Sequence, residues 1–242
     1  MKAVIIQKRV TRVLLLLFAF LLAGQFLALY CRFALEKPNA FGIVPLFLFD
    51  RENNLPTLFS GVQLAIAALL ALAIAYFVRS QKSGKARPWF IIAAVLSYLG
   101  IDDMASIHDH IDLAIMARVE TTGLIYWPWV IPYAILALGI IIYFVPFFFK
   151  LPVATRIFFA TSAAMYIFGG IGMEMIGASH AEHAGEEGLR YAIFTTIEES
   201  LEMLAVTLLI AGLLHYINHF AKALSITFLP EASLRNDLEA EA

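Results

Sequence analysis

The chain has 242 residues, of which 61% are hydrophobic and 15% are charged, and its formal net charge is −2. Soluble domains are typically about 45–50% apolar and about 25% charged, so this composition excludes an ordinary soluble enzyme and a disordered chain. The near-neutral charge leaves no basic field to attract nucleic acid, and the lone Cys31 excludes an intrachain disulfide and a cysteine-based zinc site.

Six apolar stretches are each long enough to cross a bilayer, because about 20 apolar residues span about 30 Å of hydrocarbon as a helix. Strands are not expected, since lipid cannot satisfy the hydrogen bonds of an open strand edge. The sequence therefore predicts an all-α bundle of six transmembrane helices over 1–225, followed by an acidic cytoplasmic tail over 226–242. The six spans are predicted at about 10–30, 57–78, 88–108, 127–149, 153–178 and 193–217.

The basic residues predict the orientation of the bundle. With the N-terminus in the cytoplasm, twelve of the 17 Lys and Arg residues fall on the cytoplasmic side and five on the outer side. Cytoplasmic segments normally carry this excess. We therefore expect both termini in the cytoplasm and the chain in a bacterial inner membrane.

The acidic residues show a separate asymmetry, which the positive-inside rule does not require. Four of the 19 lie in the tail, and the other fifteen lie on the outer side or in the outer parts of spans. An ionisable group inside the membrane costs at least about 2.5–3.5 kcal/mol, and no Lys or Arg lies in the outer half of a predicted span to offset it. These acids must therefore share protons, bind a cation, face water or pair with His108 or His110.

Helical spacing predicts that these side chains converge. In a continuous third span, Asp102, Ser106 and Asp109 lie on one stripe. In the sixth span, Glu198, Glu199 and Glu202 occupy an arc of about 100°. In the fifth span, glycines beside Glu174 allow a neighbouring helix to approach closely.

Carboxylates combined with imidazoles suit Zn, Mn or Fe, so the sequence predicts a divalent metal site that faces the periplasm or the cell exterior. The predicted ligands are Asp102, Asp103, His108, Asp109, Glu174 and Glu198. The predicted catalytic residues are Glu199 and Glu202, either of which would act as general base, and Ser106. The predicted outer rim contains Asp50, Glu52, His110, His180 and His183.

Some of these residues have simpler interpretations. Asp50 and Glu52 would also fit a capped helix start with Asn54 or Thr57 near the N-cap. The segment containing His180 and His183 would also fit a solvated polar loop. Two tryptophans, Trp127 and Trp129, are predicted to lie at the membrane interface.

Four segments resemble, in this order, a family of uncharacterised bacterial multi-pass membrane proteins. The resemblance covers about residues 45–217, and it implies the architecture but no activity. In that family the third-span motif more usually reads Asp-Glu…His-Glu, so this chain has Asp103 and Asp109 where Glu is usual. The four segments are Asp50–Ser60, Asp102–Asp109, Gly169–Gly177 and Thr195–Leu204.

A weaker similarity links the chain to membrane hydrolases of the ceramidase and progestin-receptor-like group, which hold zinc with Ser, Asp and His from several spans. Ser106, Asp102 and His108 match that composition. The His-x-x-x-His pair of a late helix is missing from the outer half. His215 and His219 have that spacing but lie at the other end.

Three hypotheses for function follow. The first is a metal-dependent membrane enzyme acting on a lipid or lipid-linked substrate at the outer leaflet. The second is a proton- or cation-coupled transporter, which clustered acids would serve. The third is a sensor or assembly factor without turnover. The one-sided placement of the acids favours the enzyme, because a catalytic site needs access from one side only.

Overall fold

The computed structural model describes residues 2–81 and 86–220. This part of the chain is helical and contains no strand, which confirms the predicted fold class. The predicted tail over 226–242 lies outside the described residues. The α-helices are α1 (Lys2–Leu29), α2 (Ile43–Phe47), α3 (Leu55–Ser80), α4 (Ala86–Ala105), α5 (Ile107–Met116), α6 (Val130–Phe148), α7 (Val153–Ile167), α8 (Glu174–Ala184) and α9 (Leu189–Phe220).

Six helical segments are long and apolar enough to cross a membrane, as predicted. They identify the chain as a multi-pass membrane protein. We call the end of the bundle that contains Leu55 and Ala105 the acidic end, and the end that contains Ile6 and Ser80 the N-terminal end. The six segments are Ile6–Ala34, Leu55–Ser80, Ala86–Ala105, Val130–Phe148, Val153–Ala184 and Leu189–His219.

Helix α9 lies at the centre of the bundle and packs against α1, α3 and α7, while α3 also pairs with α4. Small residues of α3 are buried in this packing. Toward the N-terminal end, Trp89 is 1% exposed. Its ring lies 4.6 Å from that of Tyr216 and 5.3 Å from that of Phe147. This half of the bundle is therefore held by apolar and aromatic packing.

The third span does not continue through residue 108 as predicted. It ends at Ala105, because Ser106 has the left-handed conformation φ 50°, ψ 45°, and α5 begins at Ile107. Such a conformation costs free energy for a residue with a Cβ. The prediction of one continuous stripe through Asp102, Ser106 and Asp109 is therefore wrong.

The fifth span is longer than predicted because a π-helical turn, Phe168–Met173, joins α7 directly to α8. Helix α9 approaches this turn closely, as the glycines predicted. A Cβ on Gly170 would lie 2.2 Å from Glu202 Oε1, and a Cβ on Gly169 would lie 3.1 Å from the Glu198 carbonyl oxygen. The absence of a Cβ at Gly169 permits this close backbone approach, which holds α9 carboxylates beside the start of α8.

Candidate functional site

Three side chains at the acidic end lie close enough together to bind one metal ion. Glu52, His108 and Asp109 each offer a ligand atom, and these atoms all lie within 4.8 Å of one another. Glu52 and Asp109 are exposed, and His108 is half-buried. We call these three residues the outer trio. It combines one imidazole with two carboxylates from two separate chain segments.

Asp102 is not part of the outer trio, but its carboxylate contacts the His108 ring. Its Oδ2 is 3.5 Å from His108 Nδ1, while His108 Nε2 is 3.5 Å from Asp109 Oδ1. Asp102 Oδ1 accepts hydrogen bonds from the His108 backbone N–H at 3.0 Å and from the Tyr133 hydroxyl at 2.9 Å. A carboxylate on one imidazole nitrogen fixes the ring so that the other nitrogen can bind a metal.

The electrostatic surroundings of His108 are strongly negative. Burial of the ring lowers its pKa, but the hydrogen bond with Asp102 and the charges of Asp109, Asp102 and Glu174 outweigh burial and raise the pKa to about 9. The same negative charge attracts a metal cation. A metal ion must displace the imidazole proton as it binds, because the ligand form of histidine is neutral.

Ser106 and the loop before α3 position Glu52. The Ser106 hydroxyl donates a hydrogen bond to Glu52 Oε2. Ser106 therefore positions the Glu52 carboxylate. Asn54 caps α3, as one interpretation predicted, by accepting from the Thr57 N–H at 3.1 Å. Its amide also donates to the Leu48 carbonyl at 2.7 Å. These bonds fix the segment that carries Glu52.

Asp50 does not join the outer trio. Its carboxylate lies 3.9 Å from the Arg32 guanidinium. Burial raises the pKa of Asp50 to about 6, although Arg32 partly offsets the effect. The first span extends to Ala34 and therefore includes Arg32. The first span thus continues past its predicted limit at residue 30 and contains a base near its acidic end.

A second layer of acids lies deeper, around Glu174. Its carboxyl is hydrogen-bonded to that of Glu198, and its Oε1 accepts from Trp129 Nε1 at 3.0 Å. Two carboxyl groups form a hydrogen bond only when one of them holds a proton. Trp129 is 9% exposed, and its ring lies 5.0 Å from that of His108. It therefore lies between the two layers, which its predicted interfacial role did not anticipate.

Three further acids, Asp103, Glu199 and Glu202, lie in the interior of the bundle. Asp103 is hydrogen-bonded to Ser60, and its Oδ2 is buried without a hydrogen-bond partner among the described residues. Glu202 is hydrogen-bonded to Tyr166. Glu199 lies within electrostatic range of both Asp103 and His108. Buried acceptors of this kind require a proton donor, a cation or water.

The structure thus brings together only part of the predicted ligand set. Of the six predicted ligands, His108 and Asp109 belong to the outer trio, and its third member, Glu52, was predicted for the rim. Within residues 2–81 and 86–220, no metal-ligating group of three includes Asp102, Asp103, Glu174 or Glu198. Sequence reasoning missed Tyr133, Tyr166, Ser60 and Trp129 as site residues.

The three histidines predicted for the rim are engaged elsewhere. His110 Nδ1 is 2.8 Å from the Ser106 carbonyl oxygen, and His183 Nδ1 is 2.9 Å from that of Ser179. The His180 ring packs against Phe194. His180 and His183 lie on α8, not in a loop, because the fifth span extends to Ala184. Their contacts are local to one or two helices.

Comparison with known proteins identifies the family of this chain but assigns no activity to it. Residues 11–217 match the model of a family described as Domain of unknown function (DUF8692). The chain belongs to this family. Neither a curated protein nor a solved structure matches it.

Proposed function

We propose that this member of the DUF8692 family is a metal-dependent membrane enzyme that acts on a lipid or lipid-linked substrate at the outer leaflet of a bacterial inner membrane. The observation that carries the proposal is the outer trio with an oriented imidazole. Glu52, His108 and Asp109 supply two carboxylates and one nitrogen. This donor set suits Zn, Mn or Fe.

The support behind the trio favours a metal site over a solvated acidic patch. Asp102 is 6% exposed and faces the second nitrogen of the His108 ring. It is held in turn by Tyr133, whose hydroxyl contacts that of Tyr98 at 2.7 Å. A solvated surface histidine needs no buried carboxylate behind its ring, whereas a histidine that binds a metal is usually oriented by one.

A bound divalent metal would supply an activated water at neutral pH and would polarise a substrate oxygen. Acidic side chains of this protein would accept and donate protons next to the metal. We assign the general base to Glu199, since its charge interacts with that of His108. The carboxyl pair of Glu174 and Glu198 would store the transferred proton, and Trp129 would exclude bulk water between the two layers.

The surroundings of the trio favour a lipid-borne substrate. Helix α5 carries His108 and Asp109, but its Leu113 is 69% exposed and its Met116 is also exposed. A helix with apolar side chains outside and site residues near its start fits the interface between headgroups and acyl chains. A substrate held in the leaflet would reach the trio without leaving the membrane.

The transporter hypothesis has less support, because it requires a polar path to the opposite side. Near the middle of the bundle and beyond it, two buried polar groups are paired, while Gln63 Oε1 and Arg156 Nε have no hydrogen-bond partner among the described residues. Thr207 accepts from Gln63 Nε2 at 2.7 Å, and Ser162 donates to the Ala205 carbonyl at 2.7 Å. These groups close the interior instead of lining a path through it.

The test is lipid turnover with a metal-dependence control. The purified protein is loaded with Zn, Mn or Fe and incubated with glycerophospholipids, sphingolipids and isoprenoid-linked substrates, and products are followed by mass spectrometry. We expect metal-dependent product that a chelator abolishes and that Glu199→Gln reduces at least about 100-fold, as for loss of a general base. Full metal loading without product from any of the three classes would contradict the proposal.

A further inference from the structure

A groove lies at the opposite end of the bundle from the acids. It encloses about 420 Å³ and runs between α1, α7 and α9. Its polar lining comes from one face of α1, and its apolar lining comes from all three helices. The lining residues are Gln7, Lys8, Thr11, Arg12, Leu15, Phe158, Leu208 and Ala211.

The charge of this groove is entirely positive. Lys8 and Arg12 are four residues apart on α1 and therefore share a face, and the lining contains no acid. Both side chains are exposed. Neither forms an ion pair with a residue of 6–81 or 86–219. A ligand seated here would meet two cations that no acid of residues 6–81 or 86–219 pairs.

The polarity of the groove changes with depth. At 1.5 Å per residue, Lys8 lies about 3 Å and Arg12 about 9 Å from the N-terminal-end limit of the first span. Phe158 lies about 7.5 Å and Leu208 about 16.5 Å from the corresponding limits of their spans. Both cations therefore lie within about 9 Å of this end, and the apolar lining continues past them to Leu208.

The walls of the groove are fixed by tertiary contacts. Gln7 Nε2 donates to the Ala211 carbonyl at 3.1 Å, and Asn218 Nδ2 donates to Gln7 Oε1 at 3.3 Å. A Cβ on Gly212 would lie 2.7 Å from Phe158 Cβ, so α7 and α9 are in close contact. The separation of the three helices is thus set by the fold.

We propose that this groove binds one anionic phospholipid of the leaflet at the N-terminal end. Its phosphate contacts Lys8 and Arg12, and one acyl chain lies along Leu15, Phe158 and Leu208. Basic pockets between helices near the membrane surface attract anionic headgroups in this way. The site is separate from the outer trio and does not depend on the proposed enzyme activity.

The test compares two charge-matched double variants by native mass spectrometry in a zwitterionic detergent with added phosphatidylglycerol. Lys8→Gln with Arg12→Gln removes both groove cations. Arg9→Gln with Arg79→Gln removes two exposed cations outside the lining and is the control. At about 1 kcal/mol per basic residue, we expect the groove variant to bind phosphatidylglycerol about 30-fold more weakly than the control variant.

A third variant tests the apolar part while both charges remain. Leu208→Trp fills the deeper groove, and we expect it to reduce the number of retained phosphatidylglycerol molecules by one. Phosphatidylcholine should not replace the bound lipid in the wild type. Equal weakening in both double variants would overturn the proposal. So would lipid binding that appears only after the tail acids are neutralised, since the tail would then occupy the groove.

Discussion

The two ends of this bundle differ in the interactions that hold their side chains in place. At the acidic end, carboxylates, phenols, an indole and an imidazole form connected hydrogen bonds around His108 and Glu174. At the N-terminal end, Trp89 packs against the aromatic rings of Tyr216 and Phe147 inside a largely apolar cluster. Buried polar groups cost stability unless they are satisfied. The buried acids and the proposed metal site are therefore found at one end, while aromatic packing around Trp89 stabilises the other end.

The largest expected effect separates the two ends. Trp89→Ala empties a site that is 1% exposed, so we expect a loss of about 3–5 kcal/mol in unfolding free energy. Thermal unfolding in detergent measures it, with the 66%-exposed Phe149→Ala as the control. The folded fraction should keep the metal content of the wild type. An unchanged melting temperature would contradict the role of Trp89 in stability, and metal loss from folded protein would contradict the independence of the metal site from this end.

The second prediction concerns Asp102, which contacts His108 Nδ1 but belongs to no metal-ligating group of three in the described chain. Asp102→Asn should weaken metal affinity about 10–100-fold, the usual effect of losing such an orienting carboxylate. Competition with a fluorescent chelator measures the affinity. Complete loss of binding would instead make Asp102 a ligand, and unchanged affinity would remove its role.

The third prediction concerns the contact between the π-helical turn and α9. Gly169→Ala places a Cβ 3.1 Å from the Glu198 carbonyl oxygen and 3.2 Å from Leu201 Cβ, and overpacking against such atoms typically costs about 1–3 kcal/mol. Gly139→Ala is the matched control, because its Cβ would meet nothing within 4 Å. Equal melting temperatures for the two variants in detergent would show that α9 does not lie this close to the turn.

The smallest expected effect is a pH dependence at Asp50. Because burial raises the pKa of Asp50 in the folded state from 3.8 to about 6, ionisation destabilises the fold as the pH rises through that range. From pH 7.5 to pH 5, the wild type should gain about 1 kcal/mol relative to Asp50→Asn. Melting temperatures of both proteins measured across that range provide the check. A gain in the opposite direction would contradict the burial of Asp50.

Much of the fold follows from the sequence because membrane spans are long apolar runs. All six were predictable, as was the close approach at Gly169 and Gly170, since small residues permit it. The end of α4 at Ala105 was not predictable. The polar pattern continues past Ser106, and the left-handed backbone conformation of Ser106 is not typical of serine.

The membership of the site was only partly predictable for a related reason. His108 and Asp109 are adjacent in sequence, and both were predicted as metal ligands, but helical spacing did not predict the contacts of His108 with Asp102 and Asp109. The place of Glu52 depends on contacts with Ser106, 54 residues away. Trp129 looked like an interfacial residue, because its bond with Glu174 depends on how α6 meets α8. Long-range packing of this kind is not encoded in any one helical pattern.

Elemental analysis of three proteins decides whether the outer trio binds a metal through His108. The detergent-purified wild type, His108→Gln and His110→Gln are each loaded with Zn, Mn or Fe, dialysed and measured by elemental analysis. His110 is the matched control, because it lies on the same helix and contacts the Ser106 carbonyl rather than the trio. The account predicts about one metal ion in the wild type and in His110→Gln, and almost none in His108→Gln. A metal-free wild type, or equal loading of all three proteins, would contradict it.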